Sequence, residues 1–269
     1  MSIFIAELAL LSIILTICAM LAMSLIVKAF KLVRENYRGN LIPTGFGFVL
    51  VMAAVPLWWA NPLSRGYGDF IGLVVGFGVL GLIDDIYGTR EAGGFKGHLR
   101  LLANGKISTG LIKAVGGGIL GLGIGLIAAD FNWALGILNG LVISLSANTL
   151  NLLDLRPGRA VSCWWLGMLA LGFSPSARHL IVYMLPVFIP AIWLSVLDRS
   201  AKVMIGDAGS NALGAILGLA IVLSLGWPAK LALIIVMAAV NIYSEKYSIS
   251  RLIENNAVLT RLDRLLGER

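Results

Sequence analysis

Residues 68–83 have the sequence GDFIGLVVGFGVLGLI, and two aspartates, Asp84 and Asp85, follow them directly. An apolar run that approaches the ~20 residues needed to cross a bilayer indicates a membrane-spanning helix. Comparable runs recur from residue 3 to residue 244, separated by short polar loops. Of the 269 residues, 58% are hydrophobic and 13% are charged, and the mean hydropathy is +0.91. This composition excludes an ordinary soluble protein and predicts one all-α, polytopic membrane domain.

Nine spans are predicted near residues 3–27, 44–60, 68–83, 109–129, 132–148, 161–173, 179–196, 210–226 and 229–244. All but three of the 21 Lys and Arg residues then lie in one set of loops, the exceptions being Arg65, Arg178 and Lys230. The positive-inside rule makes the basic set cytoplasmic, with the amino terminus outside and the carboxyl terminus inside. The net charge of +7 therefore indicates orientation and attraction to anionic lipid, not nucleic acid. Residues 245–269 are predicted to be a basic, amphipathic cytoplasmic tail.

The 14 carboxylates are scarce for a chain of this length, and several are placed where a predicted helix meets the cytoplasm. Placing an ionised group there costs free energy, so such residues are expected to have a function. Asp84 and Asp85 are neighbours, so on a helix they point about 100° apart and are expected to have different roles. One could hold a metal while the other orients or deprotonates a nucleophile. The alternative is a polar helix end without chemistry.

Asn148, Asn151 and Asp154 recur at every third residue, which places them in one stripe if the helix continues that far. Two amides could then contact a base or a sugar, and the carboxylate could add to a metal site. The alternative is a polar stripe that joins two membrane helices.

Arg156 and Arg159 follow this stripe, on either side of Pro157 and Gly158. The proline should end the helix, so the two guanidinium groups could make bidentate contacts to phosphate. The alternative is that both arginines only contribute to the positive-inside signal.

The segment Gly206-Asp207-Ala-Gly209-Ser210 precedes another apolar run. Its glycines and serine predict a tight turn with free backbone amides at a helix N-terminus, which is a suitable place for phosphate oxygens. Because carboxylates converge from three loops, Asp154 and Asp207 among them, we expect Mg²⁺, which takes oxygen ligands and retains waters. A magnesium ion beside an anion site indicates phosphoryl transfer.

In chain order the motifs are Pro43-Thr-Gly-Phe-Gly47, Asp84-Asp85, Lys113, Asn148-x-x-Asn151-x-x-Asp154 and Gly206-Asp207-x-Gly-Ser210. Together they resemble the polyprenyl-phosphate N-acetylhexosamine-1-phosphate transferase family, which includes the phospho-N-acetylmuramoyl-pentapeptide translocase of peptidoglycan synthesis. The resemblance extends from Pro43 to about Gly214. It implies a multi-pass enzyme of the bacterial inner membrane that joins a UDP-amino sugar to undecaprenyl phosphate and releases UMP.

The resemblance also implies a role for each matching residue. Asp207 corresponds to the Mg²⁺ ligand, and Asp84 and Asp85 correspond to the pair that serves the lipid phosphate. Lys113 corresponds to the lysine that neutralises phosphate charge. Asn151 and Asp154 correspond to the polar part of the nucleotide–sugar site. The expected partners are the membrane, the polyprenyl phosphate carrier, the UDP-amino sugar and, as a homodimer, a second copy of the chain.

The chain departs from the family pattern at several places. Pro157 stands where the family usually has a further aspartate, and Met204 stands where an aromatic residue is expected to stack on uracil. No histidine follows His179, so the resemblance is to a shortened member, expected to lack the usual histidine-rich loop and last helix. Two other interpretations stay open: a membrane transporter, and a relative without turnover that binds a lipid phosphate or nucleotide sugar.

Overall fold

The computed structural model describes residues 2–60, 68–88, 94–172, 174 and 180–266. These residues form twelve α-helices and one small hairpin. The helices are α1 Ser2–Phe30, α2 Val49–Ala60, α3 Gly68–Tyr87, α4 Gly94–Ala103, α5 Thr109–Ile127, α6 Trp133–Leu153, α7 Arg159–Gly172, α8 Leu180–Arg199, α9 Gly206–Ser224, α10 Trp227–Ser244, α11 Ile249–Glu254 and α12 Ala257–Leu266. Among the basic residues used to predict the topology, Arg65, Arg90, Arg178 and Arg269 lie outside the described residues.

The helices confirm an all-α, multi-pass membrane architecture. Each of the nine predicted segments coincides with one helix, although the ends differ by several residues. Within the described residues, six helices are long and apolar enough to cross a membrane: α1, α3, α5, α6, α9 and α10. A shorter apolar helical segment covers Phe46–Trp59. The number of nine spans and the orientation stay predictions.

Helix α9 lies at the centre of the bundle, packed against α3, α6 and α7. Most of its side chains are buried, in contrast to the other long apolar helices. Glycines bring the neighbouring backbones into contact with its first turn. A Cβ added to Gly81 of α3 would lie 2.2 Å from the Asp207 backbone oxygen, and one added to Gly47 would lie 2.1 Å from the Gly209 Cα. No larger residue fits at these two positions, so the ends of α3 and α9 are held together closely.

Glycines also form the contact between α5 and α6, as their four-residue spacing predicts. Gly121 and Gly125 of α5 are buried against α6, and a Cβ on Gly125 would lie 2.5 Å from the Gly140 nitrogen. Gly214 of α9 is similarly close to the α6 backbone at Ser146 and Ala147. These glycines are packing positions.

A two-stranded antiparallel hairpin follows α1 and was not predicted. Its strands are β1 Val33–Glu35 and β2 Leu41–Pro43, with Arg34 opposite Ile42. The Asn36 side chain closes the turn by accepting hydrogen bonds from the backbone nitrogens of residues 38 and 40. Beyond β2, the chain pairs with the segment before α9: the Met204 nitrogen donates to the Pro43 oxygen (2.7 Å) and the Gly47 nitrogen to the Ile205 oxygen (2.9 Å). The hairpin is therefore fixed beside the start of α9.

The predicted amphipathic tail forms two helices, α11 and α12. The break falls at Asn255 and Asn256. The Asn256 side chain accepts hydrogen bonds from the backbone nitrogens of Val258 (3.0 Å) and Leu259 (3.1 Å), which caps the start of α12.

Candidate functional site

A cleft of about 430 Å³ opens where the hairpin meets the ends of α3, α6 and α9. This volume is in the usual range for small-molecule sites. Its walls include four of the carboxylates that the sequence indicated, Asp84, Asp85, Asp154 and Asp207, together with Arg34 and Tyr37 of the hairpin region. Segments that are up to 173 residues apart in the sequence thus converge at one place.

Lys113 joins two of these carboxylates. Its Nζ donates to Asp84 Oδ2 at 2.9 Å and also to Asp207 Oδ2. Lys113 and Asp84 are each 17% exposed and Asp207 is 27% exposed, so the pairs are partly shielded from water. Asp84 and Asp207 also line the cleft. Thr109, one turn before Lys113, donates a hydrogen bond to the other oxygen of Asp84. The first turn of α5 therefore positions both a cation and a hydroxyl against the end of α3.

Asn151 completes this network from α6. In the amide orientation that satisfies every neighbour, its nitrogen donates to Asp207 Oδ1 and to Ser210 Oγ, both at 2.9 Å. Its oxygen then accepts from Lys113 Nζ at 3.1 Å. The Ser210 hydroxyl in turn donates to the Gly206 oxygen (2.9 Å). Four helices thus contribute to one continuous set of polar contacts, formed by Asp84, Lys113, Asn151 and Asp207.

The two neighbouring aspartates differ in role, as their angular separation on the helix predicts. Asp85 is only 7% exposed, and its carboxylate accepts hydrogen bonds from the backbone nitrogens of Asp207 (3.1 Å) and Ala208 (2.9 Å). It therefore caps the N-terminus of α9. The expectation that these amides are free to bind phosphate is wrong, because Asp85 occupies them.

The same capping contact explains Gly206, which has a φ of +64°. A Cβ at this position would lie 2.7 Å from both carboxylate oxygens of Asp85. Glycine is thus required here for its backbone conformation and for the close approach of the cap. Of the two neighbouring aspartates, Asp84 is the one that contacts Lys113 in the cleft.

Asp154 lies just beyond the end of α6 and forms part of the cleft wall. Burial raises the pKa of the Asp154 carboxyl well above its ordinary value, and the negative charges of Asp198 and Asp207 raise it further. None of the described residues donates a hydrogen bond to this side chain. A cation bound nearby would favour the ionised form of Asp154.

Within the described residues, no three His, Cys, Asp or Glu side chains are arranged so that they could hold a metal ion by themselves. Mg²⁺ is usually bound through one or two carboxylates, with waters and substrate phosphates as the remaining ligands. Asp154 and Asp207, which line the same cleft, fit this second type of site, in which the substrate completes the ligand set.

Asn148 is not part of the cleft. It is exposed, and its amide donates to the Asn241 side chain of α10, while Asn241 donates to Thr149 (3.0 Å). These contacts correspond to the alternative interpretation of the polar stripe, in which amides join two membrane helices. The described contacts of Asn148 are thus with α10 and not with the cleft, and its contact with substrate stays a prediction.

The predicted phosphate contacts of Arg156 and Arg159 are also corrected. Arg159 is 3% exposed and makes a bidentate ion pair with Asp263 of α12, with nitrogen–oxygen distances of 2.6 and 2.8 Å. Arg156 pairs with Glu254 of α11 at 2.7 Å. Pro157 does follow the end of the helix, but the two guanidinium groups are then engaged by carboxylates of the tail. The sequence gives no indication of these pairs, because the partners are about 100 residues away.

Two residues that position the site were not anticipated. Asp198, which is 1% exposed, accepts hydrogen bonds from the Gly158 nitrogen (2.7 Å) and the Ile205 nitrogen (3.2 Å). It thereby joins the loop after α6 to the loop before α9. Arg34 donates to the backbone oxygens of Asp85 (3.0 Å) and Gly88 (3.2 Å) at the end of α3. Asp198 could have been found as one more carboxylate at the end of an apolar segment, whereas Arg34 was counted only as a topology signal.

No protein-family model matches the chain, and no match was found among curated proteins. The chemistry of the cleft and of the network beside it is what indicates a function. Two carboxylates share one ammonium group, a third carboxylate faces the same space, and an amide links the set. Such an arrangement can bind a metal–diphosphate complex and offset the charge that develops when a phosphoryl group is transferred.

Proposed function

We propose that the chain is a magnesium-dependent phosphoglycosyl transferase that moves an N-acetylhexosamine-1-phosphate from a UDP-sugar to polyprenyl phosphate. The observation that carries the proposal is the polar network that joins Asp84, Lys113, Asn151 and Asp207 from four helices, beside a cleft that Asp84 and Asp207 line. All four of these helices are apolar enough to cross a membrane. A lipid phosphate and a soluble nucleotide sugar can both reach such a place.

In the proposed reaction, an oxygen of the carrier's phosphate attacks the β-phosphorus of the UDP-sugar. A phosphorus–oxygen bond forms there as the bond from the β-phosphorus to the bridging oxygen breaks. UMP leaves with that oxygen, and the product is a lipid-linked diphosphate sugar. All atoms come from the two substrates, so no protein nucleophile is needed.

The described residues have distinct roles in this reaction. Asp84 orients the attacking phosphate or accepts its proton, and Lys113 offsets negative charge as the transition state forms. Asn151 fixes the Asp207 carboxylate by donating to it. When Mg²⁺ is bound, Asp207 and Asp154 would hold it, and the ion would neutralise the diphosphate.

The proposed setting is the bacterial inner membrane, with nine spans, an external amino terminus and a cytoplasmic cleft. The division of basic residues between the two sets of loops supports this orientation. The six helices that can cross a membrane support a multi-pass protein.

A transporter is less favoured by the placement of the charges. A transport path is expected to place ionisable groups near the middle of the membrane. Asp84 and Asp207 instead lie in the last and first turns of their helices, and Lys113 lies near the start of α5. A relative without turnover has the same cleft and is distinguished by its lack of product.

The test uses the purified full-length chain in lipid nanodiscs with polyprenyl phosphate, Mg²⁺ and a panel of UDP-sugars, and measures UMP release. We expect UMP release that requires the lipid phosphate and stops when Mg²⁺ is chelated. Asp130→Asn is a suitable control variant, because Asp130 is exposed in the loop after α5 and has a positive φ that asparagine tolerates. UDP-sugar binding without UMP release would indicate the inactive relative, and neither binding nor release would refute the proposal.

A further inference from the structure

The C-terminal helices α11 and α12 are attached to the loop that follows α6. The strongest contact is the ion pair between Arg159 and Asp263, in which both nitrogens of the guanidinium fork meet both carboxylate oxygens. Ser250 of α11 accepts a further hydrogen bond from Arg159 at 3.3 Å. A bidentate, charge-assisted pair fixes both distance and orientation. The tail is thus held in a defined position against the first residue of α7, directly after the loop.

A second pair connects the tail to the rim of the cleft. Glu254, at the end of α11, accepts from Arg156 at 2.7 Å. The Arg156 guanidinium lies over the ring of Tyr37, 4.9 Å from its centroid. Tyr37 is at the turn of the hairpin and lines the cleft, as do its neighbours Glu35 and Asn36. The contacts therefore run from α11 through Arg156 to the hairpin that forms one side of the cleft.

The loop between these two pairs also carries a residue of the site. Asp154 lines the cleft, two residues before Arg156. On the other side, Asp198 binds the Gly158 nitrogen, next to Arg159. Residues 154–159 thus join the carboxylate wall of the cleft to the tail over a span of only six residues.

We propose that residues 249–266 contribute to the substrate site by positioning Tyr37 and Asp154, two residues that line the cleft. This inference rests on the proposed function, since it assigns the donor nucleotide sugar as the ligand whose affinity depends on the tail. Arg159, Asp263 and Glu254 are positioning residues, because they act through the loop and the hairpin. The contacts come from acidic residues of the tail.

The test compares Asp263→Asn and Glu254→Gln with the parent chain in nanodiscs. Arg264→Gln is the matched control, since Arg264 is exposed on the same helix as Asp263. Hydrogen exchange at residues 33–43 measures how firmly the hairpin is held, and UMP release measures KM and kcat. For Asp263→Asn, which loses a charge-assisted contact, we expect faster exchange in the hairpin and a roughly tenfold higher KM for the UDP-sugar. The kcat should change much less, because Asp84, Lys113 and Asp207 are not touched.

Arg159→Lys separates a positioning role from a simple need for positive charge. It retains the charge but not the fork, so it should raise KM as Asp263→Asn does. Unchanged hairpin exchange in both Asp263→Asn and Glu254→Gln would overturn the inference, and so would faster exchange with an unchanged KM. Glu254→Gln alters an exposed pair and should fold even if the buried variant does not. If the parent chain releases no UMP, the proposed function fails while the exchange data still decide whether the tail holds the hairpin.

Discussion

Replacing Asp207 by asparagine is the most direct test of the proposed chemistry. The Asp207 carboxylate accepts from Lys113 through Oδ2 and from the Asn151 amide through Oδ1. Asparagine keeps one acceptor for Lys113, but its NH₂ group then faces the NH₂ group of Asn151. The substitution also removes one of the two negative charges that Lys113 balances. The network would lose both its charge balance and one of its hydrogen bonds.

The loss should appear in catalysis and not in folding. Removing one preorganised electrostatic group from an active site costs about 100-fold to 1,000-fold in kcat, or about 3–4 kcal/mol. We expect a loss of at least about 100-fold for Asp207→Asn by this reasoning. The capping hydrogen bond to Asp85 uses the backbone nitrogen of residue 207, which the substitution leaves intact. The variant should therefore insert into the membrane and melt close to the parent temperature.

The assay is UMP release at several Mg²⁺ concentrations, with Asp130→Asn as the control for loss of a carboxylate elsewhere. If Asp207 helps to hold the ion, additional Mg²⁺ should recover part of the lost rate. Parent-like rates at ordinary Mg²⁺ concentration would refute the assignment of Asp207. A large loss of thermal stability would instead show that the carboxylate is structural.

Three further predictions follow from the fold and the cleft. Asp85→Ala removes the acceptor for two amides of α9 and should lower the free energy of unfolding by about 1–3 kcal/mol, more than Asp84→Ala does; equal shifts in melting temperature would contradict the capping role. A reporter fused after Arg269 should be active in the cytoplasm, and activity only in the periplasm would reverse the proposed orientation. In competition assays, a plain UDP-N-acetylhexosamine should be used in preference to a UDP-N-acetylmuramoyl-pentapeptide, because no histidine follows His179 to form the family's usual histidine-rich wall; preference for the peptide-bearing donor would refute this.

The helices could be predicted because the requirement to cross a lipid bilayer is visible in the sequence as long apolar segments. A span needs a long apolar run, and the nine runs fall on nine helices. The hairpin leaves no comparable trace, since strands of three residues, such as Val33–Glu35, are too short to show an alternating pattern. Its position depends on backbone pairing with Met204 and Ile205, which no side-chain pattern reveals.

The site could be predicted in part because charged groups in an apolar chain are few. Asp84, Asp154 and Asp207 stand out for that reason, and all three line one cleft. The partners of a charge are harder to predict than its presence. Arg159 was expected to bind phosphate, but Asp263 lies close enough to pair with it only after the tail folds back. Asp85 was expected to act on substrate, but its nearest donors are the amides of a helix that begins 121 residues later.

The glycine contacts at the start of α9 limit which substitutions this protein can accept. At Gly47, Gly81 and Gly209, any side chain would collide with backbone atoms of the adjoining segment. Glycine should therefore be retained at these three positions in any related sequence that keeps this fold. Many side chains of the hairpin turn and the tail are exposed and meet no such collision. Sequence change should accumulate at those exposed positions, while the helix ends beside the carboxylates remain unchanged.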